Sequence, residues 1–280
     1  MSRARVLQRR LRALGALEEA VAALRSLSAQ HFRAARAPLA AVRAYREAMQ
    51  GFLAVLGARE AARDAAPAGI VLVAADLGLV GDYTARLVRE ALALRSECGP
   101  GPLVCLGRRA VAPLEKAGAL PDAVQPAPTR VAGLTGLLLP LVDTLLSLRR
   151  EGRLGALWLV AARFEGAGSY TPMRVPVLPV AAAAGRPRLA SSPYCDAEHL
   201  RAVVVREHLY ASLYETLLEA LASEHGKRLV TAESARSWLE ERIGATRRLA
   251  AALRREASTQ EVLEVVSAAR AAQRASGALP

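Results

Sequence analysis

The chain has 280 residues, of which 52% are hydrophobic but only 4% aromatic, and it carries a net charge of +12. The length is ample for one large or two small cores. Much of the apolar content is alanine, leucine and valine, which favours long helices over an enzyme with an aromatic-lined pocket. Lysine occurs only at Lys116 and Lys227, so a compositional bias toward arginine and alanine also contributes. The three cysteines, Cys98, Cys105 and Cys195, lack metal-ligand or disulfide-framework spacing, and a reducing compartment is the simple reading. There is no unbroken run of 18 apolar residues, so no bilayer span is expected. The arginine-rich start has no apolar h-region and is not read as a secretory signal.

Residues 3–57 read as one long helix. Leu7, Leu14, Val21 and Ser28 recur every seven residues, with Leu17, Leu24 and His31 as a second seam, which is coiled-coil spacing. Pro38 is expected to kink or interrupt it. The positive charge concentrates here: residues 1–63 hold 12 arginines against four glutamates, whereas residues 194–280 hold equal numbers of basic and acidic side chains. Such a surplus points to an acidic partner without choosing among nucleic acid, membrane surface and protein. Residues 57–69, GAREAARDAAPAG, read as a linker.

Residues 70–193 read as an α/β domain. The strands are IVLVAADLG, PLVCLG and ALWLVAARF. The intervening helices are DYTARLVREALALRSE, RRAVAPLEKAG and residues 131–150, the last with Pro140 inside it. Alternating strands and helices predict a mostly parallel, Rossmann-like sheet with crossover helices. Residues 171–193 hold five prolines and are expected to supply an edge strand and an extended connection.

Residues 196–276 contain no proline, and a helix of roughly 75 residues would be about 110 Å long. Its seam runs through Leu218, Ala222, His225, Leu229, Ala232, Arg236, Leu239, Ile243, Thr246, Ala250, Leu253, Ala257 and Gln260. A helix of that length needs a partner, and residues 1–57 are the natural one. The fold class is therefore α/β: a long antiparallel coiled coil of N- and C-terminal helices with an inserted α/β domain.

Three stretches carry a family resemblance. The first helix ends at Tyr45-Arg-Glu-Ala-Met49. The first strand ends at Ala75-Asp-Leu-Gly-Leu-Val-Gly-Asp82. The last helix holds Ala222-Ser-Glu-His225 with Arg228, then Thr259-Gln-Glu261 and Glu264-Val-Val-Ser267. In order and spacing the chain resembles the gamma, or central-stalk, subunit of rotary F-type ATP synthases over nearly its full length. Leu77, Val80 and Asp82 depart from the family's Arg, Cys and Gly. Val21-Ala-Ala-Leu24 replaces its Thr-Lys-Ala-Met, Thr231-Ala-Glu233 its Ala-Met-Lys, and Arg254-Arg255 its Arg-Gln. These mark a divergent member.

The resemblance implies a non-catalytic rotor shaft that couples ion flow through a membrane ring to ATP synthesis or hydrolysis in a catalytic head. It implies alpha and beta head subunits, an epsilon-type foot subunit and the c-ring as partners, no cofactor, no metal, and a peripheral place on the cytoplasmic face of a membrane. It implies that Arg254, Arg255, Thr259, Gln260 and Glu261 meet the head subunits' levers, and that Asp76, Gly78 and Gly81 form a structural turn. The residues support the last point independently. The turn follows a strand, where open sheets often bind phosphates, but it has neither G-x-G-x-x-G nor G-x-x-x-x-G-K-[ST]. His225 is read as a structural contact. Two rivals remain open at this level. A basic coiled-coil nucleic-acid binder fits the charge but lacks interleaved aromatics, so no nucleic acid is expected. A small α/β enzyme with helical arms fits the sheet but shows no catalytic constellation.

Overall fold

The computed structural model describes residues 3–56, 66–166, 168–180 and 196–276. Most of the expected 57–69 linker and the connection after Val180 lie outside these residues. The chain divides into two compact units, residues 25–231, and residues 1–24 with 232–280. Helix α1 spans Arg3–Arg36 and α6 spans Ala197–Ser276, so each contributes to both units.

The larger unit is built on a five-stranded sheet. Strands β1 (Gly69–Val73), β2 (Leu103–Leu106), β3 (Ala123–Gln125), β4 (Leu157–Gly166) and β5 (Ser169–Leu178) lie in the order β3-β2-β1-β4-β5. The first four are parallel and β5 runs antiparallel to β4. The crossover helices are α3 (Tyr83–Cys98), α4 (Val111–Lys116) and α5 (Leu134–Arg150). A strand's side chains alternate between faces, and β1 divides accordingly. Ile70 and Leu72 join Leu87, Val88 and Leu94 of α3 and Leu114 of α4 in one core. Val71 and Val73 join Leu138 and Leu141 of α5 and Leu213 and Leu217 of α6 in the other.

Two expectations are refined here. Strand β3 has only three residues between Pro121 and Pro126, too short for a recognisable pattern. Helix α5, taken with the turn before it as Val131–Arg150, is long and apolar enough to cross a membrane by length and composition. Its Leu134, Leu138, Leu141, Val142 and Leu145 are nevertheless buried in the sheet's core, which accounts for that apolarity. Pro140 stands inside α5 without ending it. The proline-rich stretch does give the edge strand, and Pro172 and Pro176 stand in β5 opposite Ala162 and Trp158. An edge strand tolerates proline because its outward backbone positions need no donor.

Pro38 interrupts the first long helix as expected. Helix α1 stops at Arg36 and α2 runs Leu39–Val55, with Pro38 at its N-cap. Within the larger unit α2 runs antiparallel to α6: Arg43 meets Glu215 and Glu219, while Tyr45 donates to Glu207 at 3.0 Å. In the smaller unit, Leu14, Leu239 and Ile243 form the core, with Leu11 and Val21 against it. The seam of Leu7, Leu14, Val21 and Ser28 therefore faces inward. Leu17, expected on the second seam, is exposed, and Leu11, about one turn before Leu14, packs against the core instead. On α6, Ala232, Leu239, Ile243, Thr246 and Ala250 are buried as the spacing predicts, but Ala257 and Gln260 are exposed.

A close backbone approach combined with a positive dihedral occurs at Gly107, which has φ +106° just after β2. A Cβ there would lie 2.4 Å from the Ala74 carbonyl oxygen. Gly107→Ala is expected to destabilise the fold by at least about 2 kcal/mol in urea titration, because both the dihedral and a backbone atom resist the change. Gly136→Ala in α5, where nothing lies within 4 Å, is the control and is expected to be neutral or stabilising by up to about 1 kcal/mol.

Candidate functional site

In an open parallel sheet the default ligand site is the crevice at the carboxyl ends of the strands where the chain changes direction. Here that point lies between β1, which continues to β2 on one side, and β4 on the other. The turn after β1 holds Asp76, Gly78 and Gly81. Asp76 accepts the Arg108 backbone N–H at 2.9 Å, which ties the turn to the end of β2. Leu79 and Gly81 adopt positive φ, +61° and +59°, so the backbone folds back before α3 begins at Tyr83.

The crevice is filled by the chain's own helix. Tyr83 donates its hydroxyl to the Ala220 carbonyl of α6 at 3.2 Å, and Ser223 donates to the Ala162 carbonyl of β4 at 3.2 Å. Arg228, only 1% exposed, is the centre of the contact. Its Nε donates to the Gly78 carbonyl at 3.2 Å, one terminal nitrogen donates to His225 Nδ1 at 3.1 Å, and the other pairs with Glu224. His225 Nε2 lies 3.0 Å from the Thr129 carbonyl. Because Arg228 has only donors, Nδ1 accepts and Nε2 carries the proton. The cavity left beside Val73 and Ala74 measures about 10 Å³, room for one water at most.

The electrostatics follow from burial. Burial drives the His225 pKa from 6.5 down to about 4, with Arg228 and His31 adding to the drop against the Thr129 hydrogen bond. The imidazole is neutral at ordinary pH and acts as a structural linker, as expected. Burial raises the Glu224 carboxyl, and Arg228 opposes that rise. Burial also lifts the Tyr83 hydroxyl well above its ordinary value and the Cys105 thiol to about 11, so neither is a ready nucleophile. Among the described residues no cluster of three or more His, Cys, Asp or Glu side chains is placed to hold a metal. Asp82, where the resemblance leads one to expect glycine, accepts the Tyr170 hydroxyl at 3.1 Å and lies 3.8 Å from Lys227 of α6.

The second set of sequence-derived residues is elsewhere and does not converge. Arg254, Arg255, Thr259, Gln260 and Glu261 are all exposed on α6. Their hydrogen bonds stay within the helix: Arg254 to the Ala250 carbonyl, Thr259 to the Arg255 carbonyl and Gln260 to Glu264. At about 100° per residue, Arg254 and Glu261 share one face, Arg255 and Thr259 another, and Gln260 points to a third. Val262, Leu263, Val265 and Val266 are exposed among them. This is a helix displayed all round, not a pocket.

Sequence reasoning missed the ion pairs between α2 and α6. Arg43 Nε donates to Glu215 at 3.0 Å, Arg46 Nε to Glu215 at 2.6 Å, and Arg43 also reaches Glu219. Only the Tyr45–Met49 motif hinted at them, and it marks the right segment.

Arg228→Ala is expected to cost about 3–5 kcal/mol in equilibrium unfolding, because it leaves Glu224 buried without its counter-charge. Arg228→Lys is expected to restore only part of this, since an ammonium cannot meet three separated acceptors in the guanidinium's plane. A pH effect follows as well. His225, and His208 earlier on α6, each titrate near 4 in the fold against 6.5 ordinarily. Between these values the unfolded chain binds protons that the folded chain does not. Stability therefore falls as pH drops from 6.5 toward 4, by roughly 2–3 kcal/mol for each group. The raised Glu224 acts in the opposite sense. His225→Gln should flatten the slope, as read by thermal melts across that range.

The chain's similarities agree with this geometry. The family model described as ATP synthase matches residues 3–272. An ATP synthase gamma chain of Moorella thermoacetica is 28% identical, over 96% of this chain and 99% of that one. Another, of Heliobacterium modesticaldum, is 25% identical over 95% and 98%. Among solved structures, a chain of the Euglena gracilis mitochondrial ATP synthase (OSCP/F1/c-ring) has a TM-score of 0.62 at 12% identity, covering 99% of this chain and 96% of that chain. One from the Tetrahymena thermophila mitochondrial ATP synthase central stalk and c-ring has 0.56 at 17%, covering 77% and 98%. Long terminal helices around a mostly parallel sheet are thus the shared fold, and the match along nearly the whole length places this chain in the gamma-chain family of ATP synthases.

Proposed function

We propose that this chain is the rotating central shaft of an F-type ATP synthase and carries no active site of its own. The observation that carries the reading is the end of α6: from Arg254 to Arg270 every side chain is exposed, charged and apolar residues alternating around the axis. A solvated helix has little use for Val262, Leu263, Val265 and Val266 on its surface, whereas a helix enclosed by partners does. The filled crevice supports the same reading, because the place where an enzyme of this sheet type would hold substrate is taken by α6.

On this reading the alpha and beta subunits of the catalytic head surround the end of α6. Arg254, Arg255, Thr259, Gln260 and Glu261 meet their moving levers. The sheet unit lies toward the epsilon-type foot subunit and the c-ring, and the assembly is peripheral on the cytoplasmic face of a membrane that it serves by moving protons or sodium ions. The surplus of arginines near the N-terminus suits acidic lever surfaces. Coupling between shaft angle and nucleotide occupancy is reciprocal: each biases the other by the same free energy. Resistance to twist between helix and sheet then rests on the buried Arg228 contact.

The test is purification of the tagged chain from its native cells. The catalytic-head subunits and ATPase activity are expected to accompany it, and truncation after Leu253 is expected to remove coupling between ATP hydrolysis and ion pumping. Arg254→Ala with Arg255→Ala is expected to lower coupled activity by no more than about fivefold, and less at high salt, because both side chains are exposed. Recovery of the chain alone, or with nucleic acid in a salt-sensitive complex, would overturn the reading.

A further inference from the structure

Away from the crevice, α2, α6 and the β4–β5 edge enclose a cleft of about 620 Å³, within the usual size of small-ligand sites. It lies wholly in the sheet unit, and nothing in the shaft role accounts for it. One side is apolar, lined by Met173, Val175 and Val177 of β5 and its exit. The other is polar, with Arg43 and Arg46 of α2, Arg163 of β4, and His208, Glu215 and Glu219 of α6. Three guanidinium groups against two carboxylates leave the cleft positive.

The polar side is incompletely satisfied. Glu215 and one oxygen of Glu219 are held by Arg43 and Arg46. The second oxygen, Glu219 Oε2, is buried without a hydrogen bond, and so is His208 Nδ1. The two residues are 3% and 5% exposed. Buried polar atoms are normally paired, and leaving one unpaired costs about 1–3 kcal/mol. Arg163 is exposed and makes no ion pair with a described residue. Two buried groups therefore lack a partner, one acceptor and one imidazole nitrogen of either role, and one exposed guanidinium lining the cleft is outside any described ion pair.

A ligand that meets all three has an anionic group for Arg163, hydroxyl donors for Glu219 Oε2 and His208, and a body that rests on Met173 and Val175. We propose that this cleft binds a hydroxyl-bearing organic phosphate, of the sugar-phosphate or nucleoside-monophosphate class. The phosphate lies on Arg163, with the spare N–H groups of Arg43 or Arg46 beside it. The hydroxyls face α6. Inorganic phosphate satisfies the guanidinium but not the apolar side. A free sugar satisfies the carboxylate but not Arg163.

The test is calorimetric titration of the full chain with ribose 5-phosphate, a nucleoside monophosphate, inorganic phosphate and ribose. The two organic phosphates are expected to bind with a Kd of about 1 mM or tighter. Inorganic phosphate and ribose are expected to be at least about tenfold weaker. Arg163→Ala, at an exposed position outside the ion-pair network, is expected to weaken the organic phosphates about tenfold without altering the melting temperature of the free chain. Glu219→Gln should narrow the gap between ribose 5-phosphate and inorganic phosphate. Absence of saturable binding, equal affinity for inorganic phosphate, or binding that Arg163→Ala leaves intact each overturns the proposal.

Discussion

A guanidinium removed from water must be met by acceptors on every edge it presents, and Arg228 is met on three: a turn carbonyl, an imidazole and a carboxylate. Such a site is built only when separate pieces of chain arrive together. Residues 76–82, the Thr129 loop and one stretch of α6 must be in register at once, or a charge is left buried alone, which is costly. The arrangement fixes α6 to the sheet with directional bonds where apolar packing alone would permit sliding. It also decides what the sheet is for. Once α6 fills the carboxyl ends of β1 and β4, the domain becomes a mount for a helix.

The two units differ in how they are held. The sheet unit has cores on both faces and a polar centre. The other unit rests on Leu14, Leu239, Ile243 and a line of small residues, Ala232, Thr246 and Ala250. Small seam residues bring helix axes close but bury little apolar area for each residue ordered. Beyond Leu253 the helix has its own backbone hydrogen bonds and little else. An isolated stretch of that kind is only marginally stable in water, so its order depends on what surrounds it.

Much of this was legible in the sequence, for reasons that can be named. IVLV, PLVCLG and ALWLVAARF are dense in β-branched and large apolar residues and end in turns, so the strands and their parallel order followed. Pro38 ended α1 because a missing donor has the same consequence in any context. Other features were not legible because they depend on distant partners. Arg228 reads as one more charge on a charged helix until the turn at Gly78 is placed against it. Glu215 and Arg43 are 172 residues apart, and no local pattern joins them. Leu17 fitted the heptad while Leu11 lay off it, and only packing showed that Leu11 faces the core. The turn at Asp76 was expected to be structural from the motifs it lacks, while the arginine that meets its Gly78 carbonyl lay far along the chain.

The sheet's two borders have a further consequence. Pro172 and Pro176 stand in β5, and Pro121 and Pro126 close β3 at either end. An unguarded border is a template on which a second chain lays a strand, and repetition of that event produces aggregates. Here one border lacks donors at two positions and the other is three residues long. A newly made copy waiting among its siblings therefore offers them no ladder to extend. Self-association is discouraged by covalent structure alone, before any companion protein arrives and without a charge that salt could mask.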